Sequence, residues 1–368
     1  MKAATRLIPA ACAALVCAAA FAQPADEPEA PPATPPAPAN EHKTAENNAA
    51  ENEITPELNA CVSKGLAWLA AQQAPDGSFG GSRYPKHVGI TALACLAFMS
   101  DGNLPGRGEY GEQVRKGLDF VLKSVNETGF VAGESTSHGP MYGHGFATLF
   151  LGEVYGMTQG GADTALSKRL HDAVTRACRL IELSQNDEGG WRYNPVPMDA
   201  DISVTICQIM ALRSARNAGI EVPVETIDRA VEYVRLCQND DGGFRYQSMR
   251  GQSAFPRSAA GVASLFYAGV YEDEAIDRGV RYLKSQRNEG GRAISAHYFY
   301  GHYYAAQAMY LAGGDEWGQW WPSVRDEMIE RQRDEGSWDD PNAGQEYGTA
   351  MALIVLQMPK RYLPIFQK

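Results

Sequence analysis

Five segments of this chain repeat one short design, and the repeat leaves few folds open. QQAPDGSFGG begins at Gln72, SQNDEGGWRY at Ser184, CQNDDGGFRY at Cys237, SQRNEGGRAI at Ser285 and RQRDEGSWDD at Arg331. SVNETGFVAG from Ser124 is a sixth, weaker copy. Phe79, Phe130, Trp191, Phe244 and Trp338 mark one position in the repeat, with Arg292 standing in once. Successive copies lie roughly 45–60 residues apart, the period of architectures in which each unit buries its apolar face on a neighbour.

Each copy separates two helical patterns of different character. Before the fourth copy, Ile227, Val231, Val234 and Cys237 recur at helical spacing, with Asp228, Arg229, Glu232 and Arg235 on the other face. A helix apolar on one side belongs on an outer layer. Ile202 to Ala215 and Ala350 to Leu356 are apolar nearly all round, which suits an inner layer. Asp-Gly and Gly-Gly pairs end the outer helices by supplying left-handed backbone. Six helix pairs therefore alternate outer and inner. The last pair is as apolar as the rest, where an open array would need a polar cap, so the expected form is a closed ring.

The ends of the chain carry other signals. Lys2 and Arg6 precede an apolar, alanine-rich run from Leu7 to Phe21, and Ala20-Phe21-Ala22 is a small-x-small cleavage site. Residues 1–22 are expected to be a secretory leader, too short and too weakly flanked for a membrane anchor. Residues 23–55 are rich in Pro, Ala and Glu, cannot bury enough apolar surface to fold, and read as a disordered tether. Residues 56–368 form the folded domain, placed outside the cytoplasm as a secreted, periplasmic or cell-envelope protein. The net charge of −11 becomes −13 once Lys2 and Arg6 leave with the leader. That excess of acid argues against nucleic acid and anionic membrane surfaces as partners. No later apolar run is long enough to span a bilayer. Cys61, Cys95, Cys178, Cys207 and Cys237 lie within helical patterns without a CxxC. Buried thiols are the expectation, with one disulfide as the alternative in an oxidising compartment.

At Gln-x-x-Asp-Gly-Ser/Gly-Phe/Trp the chain resembles the QW repeat of squalene and oxidosqualene cyclases and of protein prenyltransferase β subunits. The resemblance runs from about Leu58 to the C-terminus. It implies an all-α fold, an α6/α6 toroid in which Gln and aromatic tie neighbouring helices, with a central cavity lined by the N-terminal ends of the inner helices. The run at Ala308 to Tyr310, the cluster Trp317, Trp320 and Trp321, and RYLPIFQ from Arg361 resemble exported bacterial prenyltransferase-repeat proteins.

Residues for a site are sought where inner helices begin: Tyr84–Val88, Tyr142–Phe146, Asp199–Ser203, Arg257–Ser258, His297–Tyr304 and Gln345–Tyr347. Asp199-Ala200-Asp201 resembles the Asp-x-Asp-Asp of acid-initiated terpenoid cyclases, with Asp201 at the protonating position and Ile202 in place of the third carboxylate. The alternative makes Asp201 the N-cap of the following helix. His144, Asp201, His302 and Glu346 are polar groups able to converge across the ring, but no histidine pair has metal-ligand spacing. No metal or other cofactor is expected. Aromatic helix starts, above all Tyr298, Tyr303 and Tyr347, suit a cavity wall for carbocations or apolar ligands; those flanking the repeat turns read as structural.

Three functions fit. The first is an isoprenoid-like apolar ligand in the cavity, with Asp201 and Asp199 as acids if there is catalysis and His144, Tyr298, His302, Tyr303, Glu346 and Tyr347 as ligand contacts. The second is a non-catalytic envelope module that recognises a protein or ligand. The third is a carbohydrate-active toroid, with Asp201 and Glu346 as its carboxylate pair.

Overall fold

The repeat folds into alternating helices, and the alternation closes on itself. In a computed structural model, residues 53–81, 83–133, 139–161, 163–288 and 297–367 are described. Residues 1–52, on which the expected leader and nearly all of the expected tether fall, lie outside them, as do His138 and most of the copy at Ser285. The outer helices are α1 (Pro56–Ala71), α3 (Gly111–Lys123), α5 (Thr164–Ser184), α7 (Val224–Leu236), α9 (Glu274–Asn288) and α11 (Gly314–Glu330). The inner helices are α2 (Val88–Met99), α4 (Pro140–Thr158), α6 (Ile202–Asn217), α8 (Phe255–Tyr267), α10 (Tyr298–Ala312) and α12 (Gln345–Leu356). Each inner helix packs on the next, and α12 packs on α2. Every residue of α2 is buried, whereas α7 buries only one stripe. This is the α6/α6 toroid. Among the described residues no helix is long and apolar enough to cross a membrane.

The conserved geometry of the repeat explains its residues. Gln73, Gln185, Gln238 and Gln332 each donate from Nε2 to two carbonyls, one in their own turn and one in the first turns of the next outer helix. For Gln185 these are Gly189 O and Thr226 O, both at 2.8 Å. Gln332 reaches Cys61 O of α1 at 2.9 Å, which ties the last turn to the first helix and closes the ring. The residue at the aromatic position, or the one after it in the weak copy, donates its backbone N–H to the facing inner helix. The acceptors are Thr91, His144, Thr205, Ser258 and Thr349. Trp191 and Trp338 add indole N–H bonds to Ile181 O and Met328 O of the preceding outer helices.

Two features depart from expectation or extend it. The fold begins before Pro56: Thr55 caps α1, and Glu53 accepts from the indole nitrogens of Trp317 and Trp321 through its carboxylate and its carbonyl. Beyond α12, the turn Met358–Lys360 packs on α12 itself and the turn Pro364–Phe366 packs against α4 and α6. There the backbone N–H of Ile365 donates to the Glu153 carboxylate at 3.0 Å, and Ser214 donates to its other oxygen at 2.7 Å. All five described cysteines are buried free thiols.

Candidate functional site

Inner helices that run side by side present their first turns at one end of the ring, and a cavity of about 850 Å³ opens there. Such a volume lies within the range of roughly 300–1,000 Å³ common to small-molecule sites. Its wall carries the rings of Tyr84, Tyr142, Phe146, Tyr193, Tyr246, Tyr300 and Tyr347. Arg83 and Arg257 supply positive charge, and His87, His297, Ser203 and Asn342 supply further polar atoms. Asp340 is the carboxylate among the described wall residues. It is committed to its own turn, accepting from the N–H groups of Asn342 and Ala343. Arg83 and Arg257 have no ion-pair partner among the described residues, so the wall as described favours negative charge. Six helix N-termini facing the same space add to that preference.

Asp201 sits just behind this wall. Its Oδ1 accepts from the N–H groups of Ser203 and Val204, both at 2.9 Å, which makes it the N-cap of α6. Tyr246 donates to Oδ2 at 3.1 Å, and the Tyr193 and Tyr246 hydroxyls lie 2.5 Å apart. The carboxylate is fully buried, so Tyr246 and Tyr193 face the cavity in its place. Burial pushes its pKa up to about 6, against the Val204 N–H, the Tyr246 hydroxyl, the charge of Arg192 and the Ser203 N–H, which all favour the anion. Asp199 is exposed and pairs with Arg192.

The other nominated residues separate into wall and support. Tyr347 is on the wall. His144 is not: it is buried, accepts Val131 N–H on Nδ1 at 3.1 Å, and directs Nε2 at Ala177 O at 3.3 Å. It does for the weak copy what Thr or Ser does in the others. His302 is likewise buried, held by Tyr298 O and packed among Tyr298, Phe255 and Trp320. Tyr298 is buried and lies under the Arg331 guanidinium, 4.1 Å from the ring centroid. Tyr303 is buried between Phe146 and Tyr304. Glu346 stands against Gly81 and is not among the residues of the wall. His144, Asp201, His302 and Glu346 therefore do not converge, and no metal-holding cluster of His, Cys, Asp and Glu occurs among the described residues.

Several wall residues were not singled out from sequence, Tyr193, Tyr246, His87 and Arg83 among them. Tyr193 and Tyr246 flank repeat turns and read as structural, yet both face the cavity. His87 lay inside a nominated segment without a nominated role; its position just before an all-apolar run was the available signal. Arg83 carried no signal, because a lone arginine in a loop is ordinary.

Comparison with known proteins fits this geometry. The profile of the squalene-hopene cyclase C-terminal domain matches residues 164–313. No curated protein sequence matches the chain. Among solved structures, the type II terpene cyclase MstE from Scytonema is 14% identical with a TM-score of 0.56, over 84% of this chain and 100% of its own. One structure of a variant of that cyclase holds geranylgeranyl dihydroxybenzoate as substrate. Cellobiose 2-epimerase from Bacillus thermoamylovorans is 13% identical with a TM-score of 0.62, over 87% of this chain and 100% of its own. A D-mannose isomerase is 12% identical with a TM-score of 0.61, over 83% and 97%. At such identities the structural matches establish a shared fold and nothing finer. The repeat and the profile match over residues 164–313 resemble the prenyltransferase/squalene cyclase superfamily, and the toroid is a fold its members share.

Proposed function

We propose that this toroid uses its ring cavity to bind an isoprenoid-type ligand with an anionic head. The observation that carries the reading is the wall itself: seven aromatic rings around about 850 Å³, with two arginines lacking ion-pair partners among the described residues. Tyrosine faces suit an unsaturated hydrocarbon chain, and the arginines and helix N-termini suit a carboxylate or phosphate. The loops that carry Tyr193 and Tyr246 also expose Val196, Met198 and Met249, an apolar approach for such a ligand. Export through the leader would place this binding outside the cytoplasm.

Binding without cyclisation is the form proposed. An acid-initiated cyclase needs a protonated carboxylic acid against the alkene, and here Asp201 spends one oxygen on the helix cap while Tyr246 covers the other. A sugar ligand is the second reading. It is favoured by His87 and His297 on the wall and by tyrosine faces able to stack on pyranose rings.

Native mass spectrometry and calorimetry with geranylgeranoic acid test the proposal. The expected result is a one-to-one complex recovered unchanged on extraction, weakened about tenfold in Arg257→Gln, the loss typical of one charge-assisted contact. A cyclised product would overturn the binding-only form. No complex, with D-mannose or cellobiose bound instead, would overturn the isoprenoid reading.

A further inference from the structure

His87 is held in one tautomer by the backbone it caps. Its Nδ1 accepts from the N–H of Gly89 at 3.2 Å and of Ile90 at 3.3 Å, so that nitrogen carries a lone pair and the proton resides on Nε2. The ring is clamped as well as capped. A Cβ on Gly89 or Gly143 would come within 3.2 and 3.4 Å of its Cε1, and the Tyr84 ring meets it edge-on with centroids 5.7 Å apart. Lys86, just before it, holds a left-handed φ of 51°, a conformation that non-glycine residues keep only where the surroundings impose it. Burial lowers the imidazole pKa to about 4, so the ring stays neutral at ordinary pH. His87 lies on the cavity wall, and its Nε2 has no hydrogen-bond partner among the described residues. Arg83, three residues before Lys86, lines the same wall.

We infer that His87 is a fixed, neutral Nε2–H donor to an oxygen of the ligand's head group, and that Arg83, His87 and Tyr84 form the head-group subsite of the cavity. A neutral imidazole capping a helix keeps its donor at all pH values where an ordinary histidine would titrate. That makes it suited to a carboxylate, phosphate or carbonyl oxygen rather than to proton exchange. The assignment rests on the binding reading above but concerns the oxygen-bearing end of the ligand alone.

The test is 15N NMR of the full protein labelled in histidine, with resonances assigned from His87→Asn and His87→Asp. Both variants retain an N-capping side chain, so melting curves matching wild type are expected. Without ligand, His87 should show an unprotonated Nδ1 and a protonated Nε2 at pH 7; the opposite tautomer or a charged ring overturns the inference. Farnesoic acid should shift Nε2 and bind His87→Asp about tenfold or more weakly than wild type, since a carboxylate there accepts but does not donate. Farnesane, a hydrocarbon of the same chain, should leave Nε2 unmoved. D-mannose and D-glucuronate complete the panel. If farnesoic acid fails but a sugar shifts Nε2 and loses affinity in His87→Asp, the subsite stands and the isoprenoid reading falls. If no oxygen-bearing probe shifts Nε2, or if affinity is unchanged in both variants, the inference falls.

Discussion

Alanine at position 189 is expected to lower folding stability by about 3 kcal/mol or more, against about 1 kcal/mol for alanine at position 219. Both glycines have a left-handed backbone, with φ of 95° and 83°. A side chain at either pays the same conformational penalty. They differ in what surrounds them. A Cβ on Gly219 meets nothing within 4 Å, whereas one on Gly189 would lie 2.0 Å from the backbone oxygen of Arg229 on α7. No rotamer relieves a collision with backbone, so α7 must move away. That movement also strains the two bonds by which Gln185 joins Gly189 to Thr226. The same contact recurs at Gly77, Gly129, Gly242 and Gly336, each against the backbone of the next outer helix, the last against Lys64 of α1. Denaturant unfolding of the two variants separates the terms. Equal losses would mean that backbone conformation alone, and not the close approach, makes the motif glycine necessary.

Glu153→Gln is expected to stabilise the protein above pH 7 by up to roughly 3 kcal/mol and to do nothing below about pH 4.5. Burial raises the Glu153 pKa to about 7, although the Ser214 hydroxyl and the Ile365 N–H both favour the anion. Between the ordinary glutamate value and about 7 the folded state therefore holds a proton that the unfolded state releases. Stability contributed by that proton is complete below the unfolded value and is lost as pH rises through the folded one. Glutamine keeps an oxygen for Ile365 N–H and gives an N–H to Ser214 while removing the charge. His87, His144 and His302 act in the opposite direction, since burial lowers each to about 4 and the unfolded chain binds their protons first. The prediction is thus a difference curve, wild type minus variant, falling from about pH 4.5 to 7 and flat on either side. A flat difference throughout would show that Glu153 titrates normally and that the C-terminal segment at Ile365 leaves it hydrated.

The ring was legible because its signals are periodic and local. Gln, Gly and aromatic recur in register, and each acts on the turn that contains it or on the next outer helix, so their spacing carries the architecture. The closing bond from Gln332 to Cys61 follows from the same rule applied once more around. The cavity wall was legible only by segment. All six helix starts chosen from sequence contribute to the wall, although Asp199–Ser203 contributes Ser203 and neither aspartate. Choosing residues within a segment needs the helix phase, and two positions along an inner helix separate Tyr300 on the wall from His302 inside the packing. His144 attracted a binding role because its partner, the Val131 N–H, belongs to the degenerate copy of the repeat. Asp201 was legible as a cap; that Tyr246 covers its second oxygen depends on a loop 45 residues away.

A crystal structure of the protein with geranylgeranoic acid tests most directly the claim that the ring binds a ligand at the N-terminal ends of its inner helices. The predicted result is the hydrocarbon chain among Tyr142, Tyr246, Tyr300 and Tyr347, with a carboxylate oxygen on His87 Nε2. An empty cavity in crystals that hold the ligand on an outer face would contradict it.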